Sequence, residues 1–313
     1  MSRLRAARPR PALAGAPAPA GERGLALLSA LLGVTLLAVV VVELAESVMV
    51  HTHLGRNAGN ALAAQLLARS AVVAGEALLI EDAKQNPSKT TADGLWAMPI
   101  VVPAGDGTVG LQITDEDGKL DLNQVRDKRM RAALDRLFDE LDLDPGLLDA
   151  LVTWTEPADS PAAGGAQALC SLPACTPRGG PLASLEELRL LRGFDDRAIQ
   201  KLRPYATAWG ERGASVGVNV NTADPVVLRA IGCEVGADFR VPPGGFEQTR
   251  EVEACPDKSL LRIKSSVFRI QASGTVGDLT QGVTAVVRRD ARRTTRLSWR
   301  ERPVSDLAPP GVT

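Results

Sequence analysis

The residues of this chain that are best suited to chemistry are four cysteines, two histidines and one short run of carboxylates. The histidines, His51 and His53, both lie just after a long apolar run near the start of the chain. A hydrolase needs a nucleophile next to a base, and a zinc site needs close cysteine pairs or histidines beside the cysteines. Because the only histidines lie beside the apolar run, the sequence argues against both an enzyme and a zinc protein.

The cysteines are Cys170, Cys175, Cys233 and Cys255. If the segment after the apolar run faces an oxidising compartment, disulfide pairing is expected. Four cysteines allow three pairings, and the sequence alone does not select among them. We predict the nearest-neighbour pairing, which joins Cys170 to Cys175 and Cys233 to Cys255.

The carboxylate run, Asp115-Glu116-Asp117-Gly118-Lys119-Leu120-Asp121, is typical of a tight turn whose carboxylates accept hydrogen bonds from local backbone amides. It lacks the bidentate glutamate that an EF-hand places about six residues after its glycine. We therefore expect a solvated structural turn rather than a metal loop.

The first element that must position these residues is an N-terminal helix. An arginine- and proline-rich leader ends in Gly24, and an uncharged apolar run follows over residues 25–42, extending past one glutamate to Val50. About 20 apolar helical residues cross a bilayer core of roughly 30 Å, so this run can span a membrane. A plain uncleaved anchor with its positive end in the cytoplasm is one interpretation.

The helical pattern continues beyond the anchor to about residue 83. Apolar residues recur there at three- and four-residue steps and include Leu62, Leu66, Val72 and Val73. The pattern predicts one helix over residues 25–83, on the order of 88 Å long, whose second half packs an apolar stripe on the protein's own sheet.

The remaining chain shows strand patterns at both ends of a helical middle. The predicted elements are strands over 96–102 and 109–114, helices over 127–141 and 144–154, a helix from Ser184 with a capping box to Glu187, a helix over 195–202, and closing strands over 266–272, 282–288 and 295–300. The end of the chain is also rich in arginine, which predicts a solvated basic edge. The seven residues are Arg288, Arg289, Arg292, Arg293, Arg296, Arg300 and Arg302.

Residues 218–232 resemble helix-hairpin-helix and SAM-like modules, some of which grip DNA phosphates. The DNA-binding form needs a Gly-x-Gly hairpin with nearby lysine or arginine, whereas Glu234 here opposes phosphate. The formal net charge of −1 and pI of about 6.2 also give no bulk attraction to nucleic acid. We predict a protein-packing module and no nucleic-acid partner; salt-dependent DNA binding would favour the alternative.

Several short motifs in a fixed order resemble one family, general secretion pathway protein K, the large minor pseudopilin of type II secretion. They are Arg23-Gly24-x-Ala26-Leu27-Leu28, Leu67-Ala68-Arg69-Ser70, Leu95-Trp96, Asp115-Glu116-x-Gly118-Lys119-Leu120-x-Leu122-Asn123, Leu151-x-x-Trp154, Ser184-Leu185-Glu186-Glu187-Leu188, Tyr205-Ala206-Thr207, Val218-Asn219-Val220-Asn221-Thr222-Ala223 and Ser266-x-Phe268.

The resemblance implies an α+β fold, with a long N-terminal transmembrane and stalk helix packed on a pilin-like antiparallel sheet and a large helical, SAM-like insertion. The implied segments are a prepilin-type leader (1–24), the helix (25–84), the first part of the sheet domain (85–118), the insertion (119–235), a closing β-meander (236–302) and a disordered tail (303–313). Prepilin peptidase would cut between Gly24 and Leu25.

The implied function is structural and non-enzymatic. Family members cap the tip of a periplasmic pseudopilus with smaller I- and J-type minor pseudopilins, initiate its assembly and support export of folded proteins across the outer membrane. The major pseudopilin and the inner-membrane assembly platform are the other implied partners. The chain would cross the inner membrane once, with its body in the periplasm. A competence or type IV pilus-like minor pilin that handles DNA is the alternative.

One position and one loop depart from the family pattern. Most pilin-like subunits carry glutamate at the fifth mature residue, and counting from Leu25 that position is Ser29. Family members also bind calcium through a carboxylate-rich loop, which implies calcium at Glu156 and Asp159. Threonine, glutamine and alanine replace other oxygen donors of that loop, and calcium prefers six to eight oxygens.

Overall fold

The computed structural model describes residues 20–157, 169–171, 179–210, 216–236 and 238–303. The chain divides into two compact units, Met1–Gly59 and Asn60–Thr313. The predicted leader and tail lie mostly outside the described residues.

The first element is helix α1, Ala20–Gln85. It begins five residues before the predicted start, so Gly24 and Leu25 both lie inside it. Leucine, valine and alanine without an internal proline permit this length, and Pro87 prevents continuation because it lacks a backbone N–H. At the C-terminal end the Asn86 amide donates to the Asp82 carbonyl at 2.8 Å. Within the first unit, every described side chain of α1 is exposed.

The second unit contains a five-stranded antiparallel sheet with strand order β1-β2-β7-β8-β9. Tight turns at Gly105 (φ 59°) and Gly277 (φ 57°) close the β1–β2 and β7–β8 hairpins in the left-handed conformation that favours glycine. The bounds are β1 Ile100–Ala104, β2 Gly107–Asp115, β7 Val267–Val276, β8 Leu279–Arg289 and β9 Thr294–Pro303.

The predicted first strand, 96–102, is only partly correct. Its first part forms a 3₁₀ turn, Leu95–Ala97, and the strand starts at Ile100. Trp96 is buried there with its ring centroid 5.2 Å from that of Phe268, nearly edge to face. The turn thus closes the end of the core between α1 and the sheet.

One face of the sheet packs on the second half of α1, as the sequence predicted. The residues buried between them include Ala68, Val72 and Leu79 of α1 together with Ile113 and Ile270 of the sheet. The predicted stripe was wrong in detail, because Leu62, Leu66 and Val73 are all more than half exposed. The buried positions of α1 other than Asp82 are mainly small, and they are Ala64, Ala68, Ala71, Val72, Gly75 and Leu79.

The chain between β2 and β7 forms the helical insertion, which has its own apolar core. Trp154 and Phe138 are among its largest fully buried side chains. Its elements are β3 Leu120–Asp121, α2 Lys128–Glu140, α3 Gly146–Trp154, α4 Asp196–Leu202, β4 Ala206–Thr207, β5 Val218–Asn219, α5 Pro225–Ala230 and β6 Leu261–Arg262, in which β3 pairs with β4 and β5 with β6, both parallel.

Two details of the insertion differ from the prediction. Residues Leu185–Leu190 form a 3₁₀ helix, and the Ser184 side chain makes no capping bond to it; the Glu187 carboxylate instead accepts from the Ala183 amide at 2.8 Å. Val252, Leu260 and Leu261 pack in the insertion core, and the sheet resumes at Val267, whereas the prediction placed residues from 236 onward in the closing meander.

Candidate functional site

The insertion leaves the sheet at the end of β2 through three consecutive carboxylates. Asp115 ends β2, and its Oδ2 accepts from the hydroxyls of Thr222 at 2.6 Å and Ser265 at 2.5 Å and from Asn219 Nδ2 at 3.2 Å. Asp117 Oδ2 accepts from the backbone amides of Ser266 and Val267 at 2.6 and 3.1 Å. These bonds fix both ends of the insertion to the sheet.

Glu116 points to the opposite face from Asp115, as the two-residue period of an extended chain requires. Its carboxylate accepts a bidentate pair from Arg269, at 2.8 and 3.2 Å, and a bond from Lys119 Nζ at 3.0 Å. The Thr207 hydroxyl also donates to it at 2.5 Å. Glu116 therefore joins the sheet, through Arg269, to strand β4 of the insertion.

The prediction that this run is a solvated turn was wrong. Asp115, Glu116, Asp117 and Asp121 are all less than 10 % exposed. The residue types suit a turn, but most of the groups that donate hydrogen bonds to these buried carboxylates come from distant parts of the chain. Only Asp115 carries a local sign of burial, because it continues the alternation of Leu111 and Ile113 along β2.

The buried carboxylates have pKa values shifted in opposite directions. Burial, together with the charge of Asp117, raises the pKa of Asp115 to about 6 against the lowering effect of its hydrogen bonds. Burial acts in the same direction on Glu116, but the charges of Lys119 and Arg269 and their hydrogen bonds outweigh it and hold the Glu116 pKa well below its usual range.

We expect Asp115→Asn and Glu116→Gln to change the pH dependence of stability in opposite senses. A raised folded-state pKa gives stability that is present at low pH and is lost as pH rises through about 6. Asp115→Asn should therefore cost more at pH 4 than at pH 7, by on the order of 2 kcal/mol. Glu116→Gln should cost more at pH 7 than at pH 3, because a lowered pKa gives stability that is lost on acidification.

Denaturant unfolding of the detergent-solubilised chain across this pH range measures both effects. Asp106, an exposed carboxylate in the turn between β1 and β2, provides the control variant Asp106→Asn. Parallel pH profiles for Asp115→Asn and Glu116→Gln would contradict the opposed shifts.

The positions implied for calcium are only partly described. Glu156 pairs with Arg126, whose positive charge opposes a bound cation. Asp159 lies outside the described residues. Across the part of the chain that the structure describes, no group of three or more His, Cys, Asp or Glu side chains is placed to hold a metal ion. Calcium at Glu156 and Asp159 therefore stays a prediction.

The structure contains the predicted bond between Cys233 and Cys255, with an S–S distance of 1.90 Å. This bond joins the segment after α5 to the buried stretch that leads to β6. Cys170 is also disulfide-bonded. Cys175 lies outside the described residues, so the Cys170–Cys175 pairing stays a prediction.

Among the described residues, α1 is the one helix that is long and apolar enough to cross a membrane, and its apolar part lies near the N-terminus. Its most apolar window has a mean hydropathy of 2.8 and is exposed throughout. The Ser29 hydroxyl donates to the Ala26 carbonyl of its own helix at 3.0 Å. Position 29 thus offers no charge to a partner, and its hydroxyl is already engaged within the helix.

The segment that resembles helix-hairpin-helix modules packs inside the insertion. Val227, Leu228 and Ile231 are buried, which agrees with the predicted protein-packing module, and Gly232 has the left-handed φ of 96° that ends α5. Arg229, the basic residue of this segment, pairs with Glu140. The segment therefore supplies core packing and a surface ion pair.

Residues 213–217, Gly-Ala-Ser-Val-Gly, match the Gly-x-Ser-x-Gly pattern of a hydrolase nucleophile elbow. In that elbow the serine sits on a turn between a strand and a following helix. Here strand β5 follows the pattern directly, and Ser215 lies outside the described residues. Both histidines, His51 and His53, lie at exposed positions of α1. The pattern therefore lacks the structural context of a nucleophile.

Comparison with known proteins gives one consistent family. The family profile described as type II secretion system (T2SS), protein K, matches residues 115–211. The type II secretion system protein K of Klebsiella pneumoniae is 30% identical over 222 residues, which cover 65% of this chain and 67% of that protein. The protein of the same name from Pectobacterium carotovorum subsp. carotovorum is 25% identical over 238 residues, which cover 67% of this chain and 70% of that protein.

A solved structure also shares the fold. One chain of the GspK–GspI–GspJ complex from the enterotoxigenic Escherichia coli type 2 secretion system superposes with a TM-score of 0.67 at 19% identity. The match covers 80% of this chain and 99% of that chain. The apolar helix, the antiparallel sheet, the insertion and the relatives agree, and this chain belongs to the type II secretion system protein K family.

Proposed function

We propose that this protein is a structural minor pseudopilin that caps the tip of a type II secretion pseudopilus and initiates its assembly. It crosses the inner membrane once through the apolar part of α1, after cleavage between Gly24 and Leu25, and its body lies in the periplasm. I- and J-type minor pseudopilins are its partners in the tip, and the complex supports export of folded proteins across the outer membrane.

The observation that carries this proposal is the state of Ser29. An unpaired charge in a membrane is costly, so a subunit with a neighbour ahead of it benefits from a carboxylate that pairs with that neighbour's N-terminal amine. Ser29 has no charge, and its hydroxyl bonds to Ala26 of the same helix. A subunit with nothing ahead of it needs no such partner.

The solved relative supports the choice of partners. That chain was crystallised with GspI and GspJ, and its fold extends over 80% of the present chain. A complex with the corresponding subunits is therefore the natural assembly to test. The ion-paired and core-packed residues of the insertion fit a structural rather than a catalytic role.

We expect one copy of this subunit per filament, whatever the filament length. Raising expression of the major subunit should lengthen the filaments, and the ratio of this protein to the major subunit should fall in inverse proportion. Quantitative mass spectrometry of isolated filaments gives that ratio, and the same spectra report whether the mature chain starts at Leu25.

Substitutions at position 29 provide the matched test. Ser29→Ala should assemble as well as the wild type, and Ser29→Glu should bring no gain in assembly, because a tip subunit does not use this position for charge pairing. Deletion of the protein should reduce filament number. A ratio that stays constant as filaments lengthen would place the subunit along the shaft and refute the tip assignment.

A further inference from the structure

The face of the sheet opposite α1 borders a cavity of about 450 Å³ that the insertion closes from the other side. Arg269 and Arg300 reach it from the sheet, Arg189 and Arg203 from the insertion, and Lys119 from the junction between them. This volume lies within the usual range for small-ligand sites. Five cationic side chains therefore surround one cavity, and the net charge of the cavity depends on the carboxylates that pair with them.

In the part of the chain that the structure describes, the carboxylates that pair with these cations are too few to neutralise them. Glu186 is shared between Arg203, at 3.3 Å, and Arg300, at 2.9 Å. Glu116 is likewise shared between Lys119, at 3.0 Å, and Arg269, at 2.8 Å. Arg189 pairs with Asp196 at 2.6 Å. Among these ion pairs, five positive charges are set against three negative charges, so an excess of two remains.

Among the described residues, Glu186 is the one carboxylate that lines the cavity itself. Burial opposes its ionisation, but bonds from its own backbone amide and from Ser184, with the charges of Arg300 and Arg203, lower its pKa to about 2. It is therefore ionised at neutral pH, and the positive excess already includes its charge.

Arg203 also has one N–H group without a hydrogen-bond acceptor among the described residues. Its Nε is buried and has no hydrogen-bond partner among the residues that the structure describes. A buried donor without a partner costs free energy. Native proteins pair nearly all such groups with protein, water or a ligand. The free donor belongs to a side chain that lines the positively charged cavity.

We propose that this cavity binds a small oxyanion, with inorganic phosphate as the simplest example. The guanidinium of Arg203 offers a planar set of donors that matches phosphate or carboxylate oxygens. Hydroxyls of Thr284 and Ser298 line the same space and can donate to the remaining oxygens. A bound dianion would neutralise the excess charge and join the insertion to the sheet.

The test uses the intrinsic fluorescence of the full chain in detergent micelles, because Trp209 lines the cavity. Phosphate and acetate are titrated separately against chloride at matched ionic strength. We expect a saturable change with phosphate, which Trp209→Phe abolishes. Arg203→Met should weaken binding about tenfold, the effect of one charge-assisted hydrogen bond. The control Arg293→Met, at an exposed arginine paired with Asp290, should leave binding unchanged.

The outcomes separate the proposal from general charge effects. Saturation by phosphate alone supports a tetrahedral dianion, and saturation by acetate as well supports a carboxylate-binding site of the same chemistry. If Arg203→Met does not fold, Arg189→Met at the half-exposed edge of the cavity replaces it. Absence of saturable binding by either anion, or equal weakening by the cavity and control variants, would overturn the proposal.

Discussion

Replacing Gly274 with alanine is expected to destabilise the second unit by about 3 kcal/mol, the upper end of the usual cost of overpacking. A Cβ atom at this position would lie 2.1 Å from the carbonyl oxygen of Ala64 and 2.8 Å from the amide nitrogen of Ala68. Both are backbone atoms of α1, which a side-chain rotation cannot move. The helix would have to shift away from the sheet and loosen the core between them.

The matched control is Gly180→Ala, because a Cβ there meets nothing within 4 Å. Denaturant unfolding of the detergent-solubilised chain should give a large loss for Gly274→Ala and a loss below about 0.5 kcal/mol for the control. If Gly274→Ala behaved like Gly180→Ala, the close approach of α1 to β7 would be refuted.

The close approach also explains which part of the fold sequence could predict. Periodicity correctly indicated a long helix that packs on a sheet, because a 3.6-residue apolar repeat is a local property. It misjudged the stripe, since Leu66 and Val73 are exposed while Ala71 and Gly75 face the sheet. Small residues carry a weak hydrophobic signal, yet they are what a near approach of two backbones requires.

The burial of charged residues was also misjudged from the sequence. The acidic run at the end of β2 and Arg289 were both expected to be solvated, and both are buried. For Arg289 a signal was present, because alternation places it on the same face of β8 as Val283, Ala285 and Val287, which pack in the core. The same signal was present for Asp115, because alternation places it on the face of β2 that holds Leu111 and Ile113. Its donors Thr222 and Ser265 lie more than 100 residues away, so the sequence did not show how its charge would be satisfied.

Replacing Arg289 with methionine should cost about 3–5 kcal/mol, because it leaves the carboxylate of Asp82 buried without its cation. Arg289 Nη1 donates to Asp82 Oδ2 at 2.6 Å and to the Leu79 carbonyl at 3.0 Å, both at the C-terminal end of α1. Nη2 donates to the Thr90 hydroxyl at 2.9 Å, and the guanidinium lies 4.5 Å above the Phe268 ring. One side chain thus connects the end of α1, the loop after it and strand β8.

A double variant distinguishes loss of the pair from loss of the arginine's packing. In Arg289→Met with Asp82→Leu no charge of the pair stays buried, and well-packed apolar replacements of buried ion pairs are often neutral. We therefore expect the double variant to be more stable than Arg289→Met alone, with a coupling energy of about 1–3 kcal/mol in a double-mutant cycle. Arg289→Lys should recover only part of the loss, because an ammonium group cannot reproduce the planar set of bonds that Arg289 makes. Strict additivity of the two single changes would show that Asp82 and Arg289 are not energetically linked, and the stability of this end of α1 would then rest on apolar packing, such as that of Leu79, rather than on the ion pair.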